Sequence, residues 1–341
     1  MKNSDSTIVI DIFKAYALAF FFTIALGNIL VYTSSFFASS MLNELGNLLI
    51  SLACPVIAFT LGVFLKLSPV GMVSLFLVGA VGSSAGESAA LITFIIALLI
   101  GLLFRALDDM NKGFSMILYP VIAITFGYLG VKYGSHYIDV ILQWIVNKLV
   151  SWDTIGSTAS GFESFKQYIK IALTSGIVFT SPIGMYGIVP MMQQSVQYAA
   201  ISNTTILAGS IGVMSFMLGF TAMGVVSNDP GITAGIFIGT PTFQFGNIVR
   251  RPQTLIPPVI ATIVSTFIGM RIFHLTSSFL VMKLGNCCMV GLVELYKLNG
   301  WPGVLTVTLT FIIIPIAITI LVYIAMLKLN LIHTEDTKVD L

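Results

Sequence analysis

The sequence predicts an all-α polytopic membrane protein with about eight to ten transmembrane helices and re-entrant hairpins. Of its 341 residues, 57% are apolar and only 9% are charged, and the mean hydropathy is +0.99. Soluble domains carry about 25% charged residues, because a surface that faces water needs them. Sixteen basic and fourteen acidic side chains are too few to cover a soluble body of 36.8 kDa.

The composition also argues against several functional classes. The net charge is +2, and the basic residues stand singly between apolar runs rather than interleaved with aromatic residues, so we expect no nucleic-acid partner. Cys54, Cys287 and Cys288 lack the spacing of a disulfide framework or a metal site. The sequence contains no GxSxG, HExxH or P-loop motif. We therefore expect no metal, no cofactor and no catalysis by this chain alone.

The apolar runs place the membrane helices along the chain. A crossing needs about 20 apolar residues, and the runs of this kind are 15–37, 47–65, 89–107, 113–131, 205–226, 254–273 and 303–328. Shorter apolar pieces occur at 69–83 and 169–190. Basic residues flank alternate runs in the first half, which by the positive-inside rule predicts a cytoplasmic amino-terminal end. After residue 130 the alternation is lost, which indicates a miscounted span or a re-entrant segment.

A change in pattern divides the chain near its middle. At 136–150, "HYIDVILQWIVNKLV" has apolar residues at helical spacing and polar residues on the other face, which predicts an amphipathic helix. The polar residues at 151–165 predict a linker. The predicted organisation is an amino-terminal bundle at 1–135, the amphipathic helix and linker at 136–165, a carboxyl-terminal bundle at 166–328 and a polar tail at 329–341.

A two-fold internal repeat is left open by the sequence. The tetrapeptide "PVIA" occurs at 55–58, 120–123 and 258–261, and internal duplication is common in transporters. Short apolar matches also arise by chance in a sequence of this composition, and the spacings differ between the copies.

One polar stretch between apolar runs is the main candidate for a solute site. "SNDPG" at 227–231 is a turn signal, and "ITAGIFIG" at 232–239 is about 12 Å long as a helix, too short to cross. The polar residues then resume in "TPTFQFGN" at 240–247. Broken backbone survives in a bilayer only where protein or a water-filled cavity satisfies it, so we predict a re-entrant segment lining a solute cavity near 227–250. The alternative is a pair of surface loops joined by a short span.

A second candidate is Glu87 in "VGSSAGESAALITF". A carboxylate at the membrane centre costs about 3 kcal/mol, so membrane acids tend to face cavities. The small residues at 82–88 suit a second hairpin near 82–90 or tight helix packing. The alternative places Glu87 at the interface as a solvated or capping residue. The predicted solute-binding residues are Glu87, Asn228, Asp229, Thr240, Thr242, Gln244, Asn247 and Arg250.

Residues 235–258, "GIFIGTPTFQFGNIVRRPQTLIPP", carry a resemblance to a known family. The stretch is similar to the pattern G-I-G-T-x-x-x-Q-x-x-N-I-x-K-N-P-x-x-x-I-P-P of phosphotransferase system (PTS) membrane subunit IIC proteins, including perfringolysin-regulator-like membrane proteins. The matching positions are Gly239, Thr240, Gln244, Asn247, Ile248, Pro252, Ile256, Pro257 and Pro258. Arg250 stands where the family commonly has lysine, and Arg251 where it has asparagine. The family's glycine-rich segment near the carboxyl end is replaced here by "KLGNCCMVGLVELYKLNGWPG".

The resemblance implies a dimeric sugar translocator with two re-entrant hairpins, working by alternating access with soluble IIA and IIB partners that supply the phosphoryl group. In that reading Asp229 and Glu87 accept hydrogen bonds from solute hydroxyls. Thr240, Thr242, Gln244 and Asn247 complete recognition, and Arg250 holds a phosphoryl or carboxylate group. Two alternatives remain: an ion-coupled secondary transporter of a small anionic solute, with Glu87 or Asp229 as proton carrier, and a membrane sensor that binds a ligand without moving it.

Overall fold

A computed structural model describes residues 2–85, 89–107, 113–158, 160–184, 201–285 and 287–339. Within these ranges the regular structure is helical and contains no β-strand, which confirms the predicted all-α class. The described residues up to Ile145 form one compact unit, and those from Val146 onward form a second.

The first unit is built around a buried helix. Its helices are α1 (Lys2–Phe20), α2 (Leu26–Phe37), α3 (Ser40–Ser51), α4 (Ala53–Phe64), α5 (Pro69–Gly82), α6 (Ala89–Leu107) and the first part of α7 (Ser115–Thr158). A π-turn joins α1 to α2, so the helix continues through the predicted run 15–37. Helix α4 packs against α1, α5 and α6. The run predicted at 47–65 is not one straight helix, because α3 and α4 meet at Leu52 with a bend of 51°.

Helix α7 is longer than the sequence pattern predicts. It includes the predicted span 113–131 from Ser115 onward and the amphipathic segment 136–150, and it continues to Thr158, so most of the predicted linker is helical. Tertiary contacts favour this helical end, because the buried Asp153 accepts the N–H of Ser202 at 2.9 Å and the hydroxyl of Thr205 at 2.5 Å. The hydroxyls of Ser151 and Thr158 find local partners in the carbonyls of the preceding turn, both at 2.8 Å. Helix α8 follows from Gly161.

The second unit surrounds a central helix whose side chains are almost all buried. Its helices are the end of α7, α8 (Gly161–Thr180), α9 (Asn203–Ser227), α10 (Pro230–Ile238), α11 (Phe245–Arg250), α12 (Ile256–Phe267), α13 (Phe279–Leu284), α14 (Cys288–Thr308) and α15 (Ile314–Lys328). The central helix α9 packs against α8, α12 and α15. Gly212 allows the close approach to α8, because a Cβ there would lie 1.9 Å from the carbonyl oxygen of Ala172.

Helix α14 reverses direction at Gly300, which has φ +60° and ψ −171°. The hydroxyls of Tyr296 and Thr308 lie 2.8 Å apart, although twelve residues of straight helix would place their backbones about 18 Å apart along the axis. The arm before Gly300 is about 20 Å long, which is short of the ~30 Å hydrocarbon core. The arm after it continues through a π-turn into α15, so it covers the predicted run 303–328.

Among the described residues, six helices are long and apolar enough to cross a membrane, or seven if the bent pair α3–α4 counts as one span. Two predicted runs coincide closely with α6 and α9. The run 254–273 is covered by α12 together with the 3₁₀ turn before it and a π-turn after it at Ile268–Ile272. Helix α5 covers the shorter predicted piece at 69–83. The run predicted at 169–190 overlaps the second half of α8, which ends at Thr180, and its last six positions, 185–190, lie outside the described residues. A polytopic membrane fold is therefore confirmed, and the total of eight to ten crossings stays a prediction.

Candidate functional site

The stretch from Asn228 to Leu255 is a chain of short helical pieces rather than one helix. Helix α9 ends at Ser227, and Pro230 supplies the first residue of α10, where its missing N–H costs nothing. Helix α10 has nine residues, and a 3₁₀ turn (Pro241–Gln244), α11 and a second 3₁₀ turn (Pro252–Leu255) follow it. This agrees with the prediction that the region near 227–250 departs from regular helix.

The groups along this stretch meet a segment from the far end of the chain. After α15 the chain turns at Asn330, which has φ +53°, and then forms a 3₁₀ turn at Thr334–Thr337. We call residues Thr334–Val339 the tail segment. Asp336, Thr337 and Val339 in it are buried. The predicted polar tail is thus partly packed into the second unit.

Three side-chain carboxamides form hydrogen bonds with the main chain of the tail segment. Asn228 Nδ2 and Gln244 Nε2 both donate to the carbonyl oxygen of Thr337, at 3.1 and 2.8 Å. Asn247 Nδ2 donates to the carbonyl oxygen of Lys338 at 2.9 Å and to Gln244 Oε1 at 2.9 Å. The N–H of Val339 donates to Asn228 Oδ1 at 2.6 Å. We call the surface formed by Asn228, Gln244 and Asn247 the carboxamide cleft.

The side chains of the tail segment add a second set of contacts. Thr337 Oγ1 donates to Ser227 Oγ at 2.9 Å and lies 3.1 Å from the hydroxyl of Tyr323. Asp336 Oδ1 lies 3.5 Å from Arg251 Nε, and Asp336 is buried while the Arg251 side chain is half exposed. These contacts place an ion pair at the edge of the cleft and hydroxyls in its interior.

The two predicted threonines lie beside the cleft and bond to each other. The hydroxyls of Thr240 and Thr242 are 2.7 Å apart, and the N–H of Thr242 donates to Thr240 Oγ1 at 3.1 Å. Thr240 thereby caps the 3₁₀ turn that carries Gln244. Both threonines are buried, and their hydrogen bonds stabilise the turn that positions the carboxamide of Gln244.

The remaining predicted site residues do not join the cleft in the described structure. Asp229 is the exposed N-cap residue of α10, without a side-chain capping bond. Arg250 is exposed in the last turn of α11. Glu87 lies outside the described residues, as do its neighbours at 86 and 88. The structure therefore brings together Asn228, Gln244 and Asn247 and leaves the predicted roles of the charged groups as predictions.

Two cavities adjoin α10. One, of about 360 Å³, is lined by Thr221, Asn228, Thr233 and Phe237 among others. The other, of about 490 Å³, lies between α9, α10 and α15 and is lined almost entirely by apolar side chains, with Thr221 and Tyr323 as its hydroxyl-bearing residues. Gln244 and Asn247 line neither of these cavities. In this conformation their polar atoms face the tail segment instead.

Sequence reasoning missed the groups that complete this arrangement. Ser227, Tyr323 and Asp336 received no role, and Arg251 was interpreted only as a departure from the family pattern. Within the tail, Asp336 caps the turn locally, since its Oδ2 accepts the N–H of His333 at 2.9 Å. No local pattern indicates that this turn docks about 90 residues upstream, because the contact depends on the path of the whole second unit.

Comparison with known proteins identifies the class of the chain. No curated protein and no solved structure matches it significantly. A family model described as "Phosphotransferase system, EIIC" matches residues 10–339, a region that includes the broken stretch and the tail segment. Because the match covers nearly the whole chain, it confirms the family suggested by the resemblance at 235–258. The chain belongs to the phosphotransferase system EIIC family.

Proposed function

We propose that this chain moves a sugar or sugar-like solute across the bacterial cell membrane by alternating access, as a homodimer with its amino-terminal end in the cytoplasm. Family membership makes it a PTS-type multi-pass membrane transporter and implies cooperation with IIA and IIB components. The proposal adds the solute class, the transport mechanism and the assembly to that statement. The phosphoryl group would come from IIA and IIB acting in trans.

The carboxamide cleft is the observation that carries the proposal. Amide groups both donate and accept hydrogen bonds, which matches the hydroxyl groups of a sugar. Gln244 and Asn247 stand on short helical pieces, and Asn228 is the extended residue that ends α9, so a change in backbone path there can open or close a site. A polar group buried without a partner is costly, so such a cluster requires an occupant in each state.

The other predicted residues take roles around the cleft in this proposal. Asp229 and Glu87 accept hydrogen bonds from solute hydroxyls, and Thr240 and Thr242 hold the turn that bears Gln244. Arg250 binds a phosphoryl or carboxylate group through two parallel hydrogen bonds. Its exposure on the last turn of α11 leaves it accessible to a charged group from solution.

Uptake of radiolabelled hexoses, hexitols and disaccharides tests the proposal in cells that supply IIA and IIB. We expect Gln244→Ala and Asp229→Asn to raise KM by roughly tenfold, the effect of one lost hydrogen bond. Gln253→Ala is the matched control, because Gln253 is exposed on the neighbouring 3₁₀ turn. Wild-type kinetics in Gln244→Ala and Asp229→Asn, for every sugar transported, would remove these residues from the site.

The same assay separates the two alternatives from the proposal. Uptake of an anionic solute into vesicles without soluble partners, driven by a pH gradient, would identify an ion-coupled secondary transporter. Absence of uptake, together with altered expression of other genes on deletion, would identify a sensor. Uptake that requires IIA and IIB and yields a phosphorylated sugar supports the PTS mechanism.

A further inference from the structure

We propose that the tail segment Thr334–Val339 is a displaceable ligand of the carboxamide cleft, so that the chain closes its own solute site until a solute competes the segment away. The docking part stands on the contacts of the described residues. The competition part rests on the proposed function, because it takes the cleft to be where the solute binds.

The cleft recognises the tail segment by its main chain. The carboxamide of Asn228 donates to the carbonyl oxygen of Thr337 and accepts from the N–H of Val339, at 3.1 and 2.6 Å. These two groups flank Lys338, whose backbone is extended at φ −75° and ψ 133°. A neighbouring β-strand would bond the same pair of groups, so one side-chain amide replaces a strand residue. Recognition of this kind binds an extended backbone and leaves room for varied side chains.

The docked segment uses the donors that a sugar would need. Gln244 Nε2 is committed to Thr337 O, and Asn247 Nδ2 is shared between Lys338 O and Gln244 Oε1. Gln244 is only 1% exposed and Asn247 only 6%. A solute hydroxyl can reach these amides only after the carbonyls of the tail segment have moved away. Occupation by the tail segment and by a solute is therefore mutually exclusive.

The segment is built so that it can leave without unfolding the bundle. Between Lys328, where α15 ends, and the tail segment lies a short connection with a positive φ at Asn330, exposed side chains at Leu329 and Leu331, and the buried side chain of Ile332. Ile332 keeps the connection packed in the second unit, so the part free to move is the tail segment after it. The turn in the tail segment has local partners: Asp336 caps the N–H of His333, and Thr337 Oγ1 lies 3.1 Å from Thr334 O, to which it can donate once it leaves Ser227. This 3₁₀ turn can survive release, so release breaks the bonds to the cleft together with the contacts to Ser227, Tyr323 and Arg251.

The energetics couple release to solute binding. If the segment left alone, three carboxamides would lose partners in a largely buried place, which is costly. A solute that supplies oxygen acceptors removes that cost, so its binding and the departure of the tail segment favour each other. A solute that merely approached the cleft from outside would have no such effect.

Hydrogen exchange measured by mass spectrometry on the full-length protein in nanodiscs tests the docking. We expect the amides of residues 332–339 to be protected in the wild type. Val339→Pro removes the N–H that bonds to Asn228 Oδ1, and the extended backbone of Lys338 accepts a following proline. We expect this variant to exchange about tenfold faster across the segment. Val339→Ala keeps the N–H and serves as the matched control, with a smaller rise from lost packing.

Addition of the sugar panel to the same samples tests the competition. We expect at least one hexose, hexitol or disaccharide to raise exchange in residues 332–339 of the wild type while lowering it in peptides that contain Gln244. Wild-type exchange of the segment at the rate of a free peptide would overturn the docking. Protection that no sugar in the panel relieves would overturn the competition. If only the proposed function is wrong, cells will show no sugar uptake, while residues 332–339 will still be protected from exchange in nanodiscs.

Discussion

The amide nitrogen of Gln244 lies 2.8 Å from the main-chain oxygen of Thr337, across 93 residues of sequence. Both groups are buried, and Gln244 also accepts a hydrogen bond from Asn247. This relationship joins the broken stretch after α9 to the segment after α15. The buried polar groups of these two distant segments therefore satisfy each other's hydrogen bonds.

Removing the Gln244 amide should destabilise the second unit. Gln244→Leu leaves Thr337 O and Asn247 Nδ2 each with one partner fewer, at a cost of about 1 to 3 kcal/mol. Thermal unfolding in detergent should show a lower midpoint than in the wild type. Gln253→Leu makes the same chemical change on an exposed neighbour and should shift stability by less than about 0.5 kcal/mol. Equal midpoints for the two variants would contradict the buried bonds described for Gln244.

The ion pair between Arg251 and Asp336 should make docking of the tail segment sensitive to salt. One partner is half exposed, so the pair contributes at most about 1 kcal/mol and is screened by added salt. In Asp336→Asn, hydrogen exchange in residues 332–339 should be a few-fold faster and nearly independent of salt. Glu335→Gln removes the same charge at an exposed position and should keep the wild-type response. A wild-type salt response in Asp336→Asn would show that the pair contributes nothing.

Replacing each of two glycines with alanine should change the stability of the protein in opposite directions. A Cβ at Gly212 would lie 1.9 Å from the carbonyl oxygen of Ala172, so Gly212→Ala must push α8 and α9 apart and should cost about 1 to 3 kcal/mol. Gly235 lies inside α10, and a Cβ there would meet no atom within 4 Å, so Gly235→Ala should gain up to about 1 kcal/mol of helix propensity. Thermal unfolding of the two variants measures both effects. A loss of stability in Gly235→Ala as large as that in Gly212→Ala would count against the described packing.

Asp153 should be important for the start of α9. Its carboxylate accepts the N–H of Ser202 at 2.9 Å, the hydroxyl of Thr205 at 2.5 Å and the hydroxyl of Ser202, and the residue is only 5% exposed. Asp153→Ala leaves these donors without their acceptor and should lower the free energy of unfolding by about 3 kcal/mol, and Asp153→Asn should lower it by less. Unfolding midpoints give the comparison.

The control for Asp153 is its exposed neighbour Thr154, whose hydroxyl bonds to Val150 O at 3.1 Å within the same helix. Thr154→Ala should change stability by less than about 0.5 kcal/mol. If Asp153→Ala were as mild as Thr154→Ala, the carboxylate would not be holding the first turn of α9.

Several elements were predictable because their signal is local. The apolar runs at 89–107 and 205–226 have the length and continuity of a crossing helix, and α6 and α9 occupy them almost residue for residue. Proline and glycine change the backbone conformation of the turn in which they stand, so the departure from regular helix near 227–250 could also be predicted. Other features depend on residues distant in sequence, as at residues 151–158, where the polar segment stays helical and its buried Asp153 bonds to Ser202 and Thr205.

The order of amino acids alone was enough to predict the membrane class, the positions of the main helices and the clustering of Asn228, Gln244 and Asn247 on one broken stretch. Periodicity and turn chemistry encode these features, because they arise from interactions over a few residues. What those amides bind became visible only in the folded chain. A carboxamide can form a hydrogen bond with any donor or acceptor that the fold brings within about 3 Å. In this chain the packing of α9 and α15 brings the carbonyls of Thr337 and Lys338 to that distance.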